Sequence, residues 1–174
     1  MTLAVIGLGN VLLGDDGFGP FVIELLRARC DLPPEVELLD LGTPGLFLTT
    51  YLHQYDDVII VDAVAGAGDG VRVWEGEELA ALPIASRVSP HDPALPEALS
   101  IARAAAARPR EACLIGAEPR SLELGAPLTE PMRAAAEAAA CIVLQRLKEK
   151  GFDVGRSERV HIELDWWQRA NPAP

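Results

Sequence analysis

Asp16 in the run GLGNVLLGDDGFGP, Asp62 at the end of VIIVDA, and His91 in SPHD are the residues of this 174-residue chain whose types and spacing suit metal chemistry. Asp16 follows the first apolar run and Asp62 closes a later one. In an open α/β sheet both would lie at the carboxyl edge, where such folds bind their ligands. His91 follows a short turn and can reach the same rim. Two carboxylates and an imidazole leave coordination positions open, which suits a borderline divalent ion such as nickel or zinc that must still meet a substrate.

Each of these residues also has a plainer account. Asp15 and Asp16 are adjacent, and one aspartate suffices to accept backbone N–H bonds at the positive end of a helix. Two neighbours cannot both do so. That gives Asp15 to the cap of the following helix, where an Asn would serve nearly as well, and Asp16 to the site. Asp62 fits a turn-starting residue as well as a ligand, and beside Val58, Ile59, Ile60 and Val61 a buried carboxylate needs a partner. His91 is equally compatible with a structural histidine. His53, near the end of an expected helix, and His161, in the C-terminal segment, have no acidic companions at a strand end.

The elements that must position these groups follow from apolar periodicity and its interruptions. Leu3 to Ile6 is a continuous apolar run ending in Gly7-Leu8-Gly9, as in a buried central strand feeding a tight turn. A helix through Phe21, Val22, Leu25 and Leu26 is stopped at Asp31-Leu32-Pro33-Pro34. Val36 to Leu41 is a second strand, followed by the turn Gly42-Thr43-Pro44-Gly45 and a helix to about Gln54. Val58 to Val61 is a third strand. Gly66 to Gly70 turns the chain into Val71 to Trp74, whose alternation suits a strand near a sheet edge with an antiparallel hairpin partner. Leu82 to Pro93 reads as irregular. A helix over Leu95 to Ala107, a strand over Ala112 to Gly116 and a helix over about Glu130 to Lys150 complete a three-layer α/β sandwich around a mostly parallel sheet. Residues 1–150 read as one domain and 151–174 as a C-terminal extension, an extra strand or a partly ordered tail. Trp166 and Trp167 there suit a partner-facing patch or a cover for a sheet edge.

Composition agrees with one folded unit: 49% hydrophobic and 24% charged residues, with mean hydropathy +0.17. A net charge of −11 with scattered basic residues gives no footprint for nucleic acid or an anionic membrane. The expected state is a monomer. Three cysteines, Cys30, Cys113 and Cys141, are far apart and form no C-x-x-C, which points away from disulfides and thiolate metal sites and towards a reducing cytoplasm. The apolar opening has no basic leader or small-residue cleavage site, and no apolar run reaches the ~18 residues of a membrane span. Gly7-x-Gly9 begins like a dinucleotide fingerprint but has Leu12 at the third glycine position, and two carboxylates follow where a pyrophosphate would sit. There is no G-x-S-x-G elbow and no H-E-x-x-H helix.

The run from Gly7 to Gly19 resembles the N-terminal signature of the hydrogenase maturation endopeptidases. Asp40 to Gly45, Val61-Asp62-Ala63, Ser89-Pro90-His91 and Gly116-Ala117-Glu118-Pro119 resemble further segments of that family, collinear over about residues 3 to 145. The resemblance implies a twisted, mostly parallel five-stranded sheet in an α/β/α sandwich. It also implies removal of a short C-terminal extension from the large-subunit precursor of nickel-iron hydrogenase once nickel is in place. Asp16, Asp62 and His91 would then be both nickel-contacting and catalytic, with the nickel supplied by the substrate; zinc or cadmium can take the same donors. The ion would gate specificity, since an unloaded precursor leaves three site groups unpaired, and it would polarise the scissile carbonyl or supply hydroxide while a carboxylate handles the proton. Asn10, Gly42, Thr43 and Gly45 would contact the substrate backbone, although turn formation explains them almost as well. A competing function with the same ligands is a checkpoint that binds nickel-loaded precursor without cutting it.

Overall fold

The computed structural model describes residues 1–82, 95–106 and 109–157. In chain order the elements are β1 (Leu3–Leu8), α1 (Phe18–Arg29), β2 (Cys30–Asp31), β3 (Val36–Gly42), α2 (Leu48–Leu52), β4 (Asp57–Ala63), β5 (Val71–Glu75), α3 (Gly76–Ala80), α4 (Leu95–Ala106), β6 (Glu111–Ala117), α5 (Glu130–Glu149) and β7 (Gly155–Arg156). The main sheet has the order β3-β1-β4-β6-β5, parallel throughout except for β5, which runs antiparallel to β6.

The central strands are apolar on both sides because both sides are covered. Val5, Ile59, Val61 and Ile115 face α1 and α5, which contribute Phe21, Val22, Leu25, Ala136, Ala139, Val143 and Leu147 at helical spacing. Ala4, Ile6, Val58, Ile60 and Leu114 face the other layer, with Leu48 and Leu52 of α2, Leu79 of α3 and Ala98 and Ala102 of α4. The three-layer sandwich and five-stranded sheet expected from the sequence are therefore present.

The route of the chain decides where a site can form. β1 is followed by α1 on one face and leads to β3 on one flank; α2 then crosses the opposite face to β4 on the other flank. The connections diverge between β1 and β4, and that gap at the carboxyl edge is the switch point where open α/β sheets take up ligands. At the opposite edge the buried Asp57 is held by Lys150, whose Nζ lies 2.6 Å from Asp57 Oδ2 and 2.6 Å from Glu111 Oε2. The same ammonium holds the Glu111 carboxyl below the usual carboxylate range.

Some elements differ from expectation. β5 is antiparallel as expected, but its partner is β6, with Trp74 opposite Leu114, not a neighbour in sequence. Only tertiary packing distinguishes the two. Gly76–Ala80 forms a helical turn that the sequence did not signal, fixed by the burial of Leu79. The helix expected from Gly45 to about Gln54 is a 3-10 turn, Gly45–Phe47, followed by the five-residue α2. β7 pairs antiparallel with β2, and Phe152 and Val154 pack on the core ahead of it.

Helix α1 rests directly on the strand ends. A Cβ on Gly19 would lie 2.2 Å from the Leu8 carbonyl oxygen and 2.4 Å from that of Val61, and one on Gly7 would lie 2.6 Å from the Gly19 carbonyl oxygen. Alanine ordinarily improves a helix by about 1 kcal/mol over glycine. At position 19 the steric term wins: Gly19→Ala is expected to lower stability by about 1–3 kcal/mol, read from the urea midpoint, and an unchanged or raised midpoint would show that α1 is not seated this closely.

Candidate active site

The turn between β1 and α1 is folded tightly back on itself. Gly9 has φ 130°, and a Cβ there would lie 1.8 Å from the Asp16 carbonyl oxygen, so only glycine lets the turn close. The Leu13 N–H donates to the Asn10 carbonyl at 3.0 Å and the Asp16 N–H to the Leu13 carbonyl at 3.0 Å. The Asn10 side-chain oxygen accepts from the Leu12 N–H at 3.0 Å, and the Asn10 N–H donates to Asp16 Oδ2 at 2.9 Å. These bonds fix the Asp16 carboxylate, 3% exposed, at the edge of the β1–β4 gap.

Asp62 lies across that gap. It is the penultimate residue of β4, opposite Gly116 of β6, and by strand alternation it shares the face of Ile60 and Val64. It is half-buried, and the Gly14–Gly17 turn that carries Asp16 packs against β4. Gly116 must lack a side chain there, since Val64 and Trp74 already fill the space and would lie 2.7 Å from a Cβ. Two of the expected ligand residues thus border the same switch point. His91 lies outside the described residues, as do His161, Trp166 and Trp167, and among the described residues no group of three His, Cys, Asp or Glu is placed to hold a metal.

Asp15 does something other than cap α1. The N-cap residue of α1 is Gly17, with no side-chain cap bond. The Asp15 carboxylate, fully buried, instead accepts from Arg120 N at 2.8 Å, Ser121 N at 3.1 Å, Thr129 N at 2.7 Å and Thr129 Oγ1 at 3.0 Å. Thr129 is the N-cap residue of α5, so the negative charge sits at the start of a helix more than a hundred residues away. Four donors replace the water the carboxylate loses. The sequence hint was the pair of adjacent aspartates; the identity of the partners needed the fold.

The neighbouring loops are tied to this turn. Gly42 has φ 57°; its N–H donates to Asp40 Oδ1 at 3.1 Å and its carbonyl accepts from the Gly9 N–H at 2.9 Å. Both backbone polar groups of Gly42, and the Asn10 side-chain oxygen, are therefore already engaged in turns. Thr43 is exposed and Gly45 takes a left-handed φ of 58°. On the far side, Glu118 Oε2 accepts from the Gly68 N–H at 2.8 Å and Arg120 pairs with Asp69 at 2.5 Å. A groove of about 240 Å³ opens there between Gly68, Gly70, Glu118, Arg120 and Met132.

The cysteines have no place in this chemistry. Burial pushes the Cys113 thiol up to about 11 and also raises that of Cys30, while Cys141 is exposed on α5. A thiolate is the reactive form. Iodoacetamide at pH 8 is expected to alkylate Cys141 first and Cys113 only after unfolding, as read by peptide mass; early labelling of Cys113 would contradict its burial. Asp15→Asn tests the role of the buried carboxylate. An amide would present an NH2 to a pocket of donors, and stability is expected to fall by about 2–3 kcal/mol in urea, whereas a cap of α1 would tolerate Asn with a change of a few tenths.

Residues 20–146 match the family model described as hydrogenase maturation protease. Hydrogenase expression/formation protein HoxM from Azotobacter vinelandii is 38% identical over 99% of this chain and 88% of its own length. Hydrogenase 2 maturation protease from Escherichia coli is 35% identical over 92% of this chain and 99% of its own length. Among solved structures, the hydrogenase maturating endopeptidase HybD from Escherichia coli superposes with a TM-score of 0.81 at 34% identity, covering 90% of this chain and 98% of that one. The HycI maturation protease from Thermococcus kodakarensis gives 0.68 at 28% identity, over 84% and 92%. With its fold, its family model and relatives along nearly its whole length in agreement, the chain belongs to the hydrogenase maturation protease family and is a peptidase.

Proposed function

We propose that this maturation endopeptidase, which processes a hydrogenase large subunit, removes the C-terminal extension of a nickel-iron precursor after nickel insertion, and reads the substrate's nickel with Asp16, Asp62 and His91. The observation that carries this reading is the seating of Asp16 and Asp62 on either side of the β1–β4 switch point in a chain of this family. Carboxylate oxygens suit a divalent cation, and a rim site is open to a tail delivered by a folded partner. Nickel then belongs to the substrate and not to the resting enzyme, and zinc or cadmium would be stand-ins for it.

The roles divide by position. Asp16 is held through Asn10 N–H so that its carboxylate has a fixed direction before substrate arrives, which limits the ordering cost of binding. Asp62 lies where the β4 backbone ends and is the more accessible of the two carboxylates, which suits proton handling at the scissile bond. Exposed Thr43 and the left-handed Gly45 lie on the loop tied to the Asp16 turn through Gly42, where an extended segment would pass. The working location is the cytoplasm, with cysteines kept as free thiols. Among the described residues no helix is long and apolar enough to cross a membrane.

Intact-mass analysis of large-subunit precursor, with and without nickel, tests the proposal. Loss of a C-terminal peptide is expected only from nickel-loaded precursor. Asp16→Asn, Asp62→Asn and His91→Ala should each slow it at least about a hundredfold while circular dichroism stays native. Undiminished cleavage by Asp62→Asn, or cleavage of unloaded precursor at the same rate, would overturn it. Nickel-dependent binding without any cleavage by the wild type would identify a checkpoint instead.

A further inference from the structure

Large apolar side chains left in water are costly in number, and among the described residues five of the seven that are exposed, all but Met1 and Ile101, gather on a few loops. Leu12, Leu122 and Leu124 (74% exposed) and Leu46 and Phe47 (77% exposed) all lie on loops that follow the carboxyl ends of strands. The first three are held together: the Gly125 N–H donates to the Leu12 carbonyl at 2.8 Å, and Leu13 and Leu124 form an antiparallel bridge. The other two follow Gly42, whose carbonyl accepts from Gly9 at the start of the Asp16 turn. The turn that carries Asp16 is thus bonded to an apolar loop on each side.

We infer that these loops form a docking surface for the body of the large-subunit precursor, separate from the contacts that read its scissile segment. The inference rests on the proposed function above, because it takes the Asp16 rim as the place the substrate must reach. The occupant follows from continuity. A protein substrate that delivers a peptide bond to the gap between β1 and β4 covers the loops bonded to that gap, and apolar residues on those loops are the ones its surface would desolvate. Holding them on loops braced by Asp15 and Gly42 keeps the surface formed before the partner arrives.

The test uses full-length protein and fluorescently labelled, nickel-loaded precursor, with affinity and cleavage read separately. Leu124→Glu and Phe47→Glu, both exposed and so compatible with folding, are each expected to weaken binding about tenfold or more with the melting temperature unchanged. The exposed substitution Glu149→Lys on α5, away from the rim, should leave affinity unchanged. Unaltered affinity in both rim variants, with cleavage by the wild type intact, would overturn the docking surface and leave the proposed function standing. Weakened binding in the variants with no cleavage by the wild type would overturn the proposed function and leave the surface. Sedimentation showing a wild-type dimer that the two substitutions dissociate would assign the loops to a second copy of this chain and overturn the inference.

Discussion

A carboxylate removed from water has to be met by enough donors to offset several kcal/mol of lost hydration, and Asp15 is met by four. Those donors come from the segment between β6 and α5, so the price of burying this charge is a fixed path for that segment across the end of the sheet. The path brings Ser121 within reach of the Asp15 N–H and of Gly14, where a side chain would collide at 2.7 Å with the Ser121 carbonyl oxygen. One residue further on, Asp16 is presented at the gap between β1 and β4. The orientation of the Asp16 carboxylate at that gap is thus a by-product of its neighbour's need for partners.

The second constraint is the closeness of α1 to the strands. Gly7, Gly9 and Gly19 remove three side chains so that backbone can meet backbone, and the helix start comes to lie over the ends of both β1 and β4. A looser seat would move the Gly14–Gly17 turn away from β4 and separate the two carboxylates. The glycines that resemble a nucleotide-binding turn therefore serve a different end. They bring acidic groups to the switch point, where a phosphate would be repelled and a cation attracted.

Much of this was legible beforehand. A continuous apolar run identified β1 as a central strand and similar runs marked β4 and β6 as strands, because strands covered on both faces lack alternation, and the placing of Asp16 and Asp62 at the carboxyl edge followed from the strand ends alone. What the sequence could not give were interactions between distant segments. The pairing of β5 with β6 instead of a hairpin neighbour, the burial of Leu79 that fixes α3, and the partners of Asp15 all depend on which residues the fold brings together. Local rules assigned Asp15 to the nearest helix; the chain uses it on the last long one. Asn10 and Gly42 were ambiguous between turn and substrate roles, and the bonds they make inside the turns account for their presence.

The reach of the Asp15 bonds along the chain has a consequence for synthesis. Its donors lie 105 to 114 residues further on, so a chain emerging from the ribosome carries Asp15 in solvent until the segment before α5 has been made. The rim cannot acquire its final shape earlier, because contacts this remote in sequence form only after the intervening chain has been ordered. A nascent chain can therefore complete this edge only once the segment that follows β6 has been made.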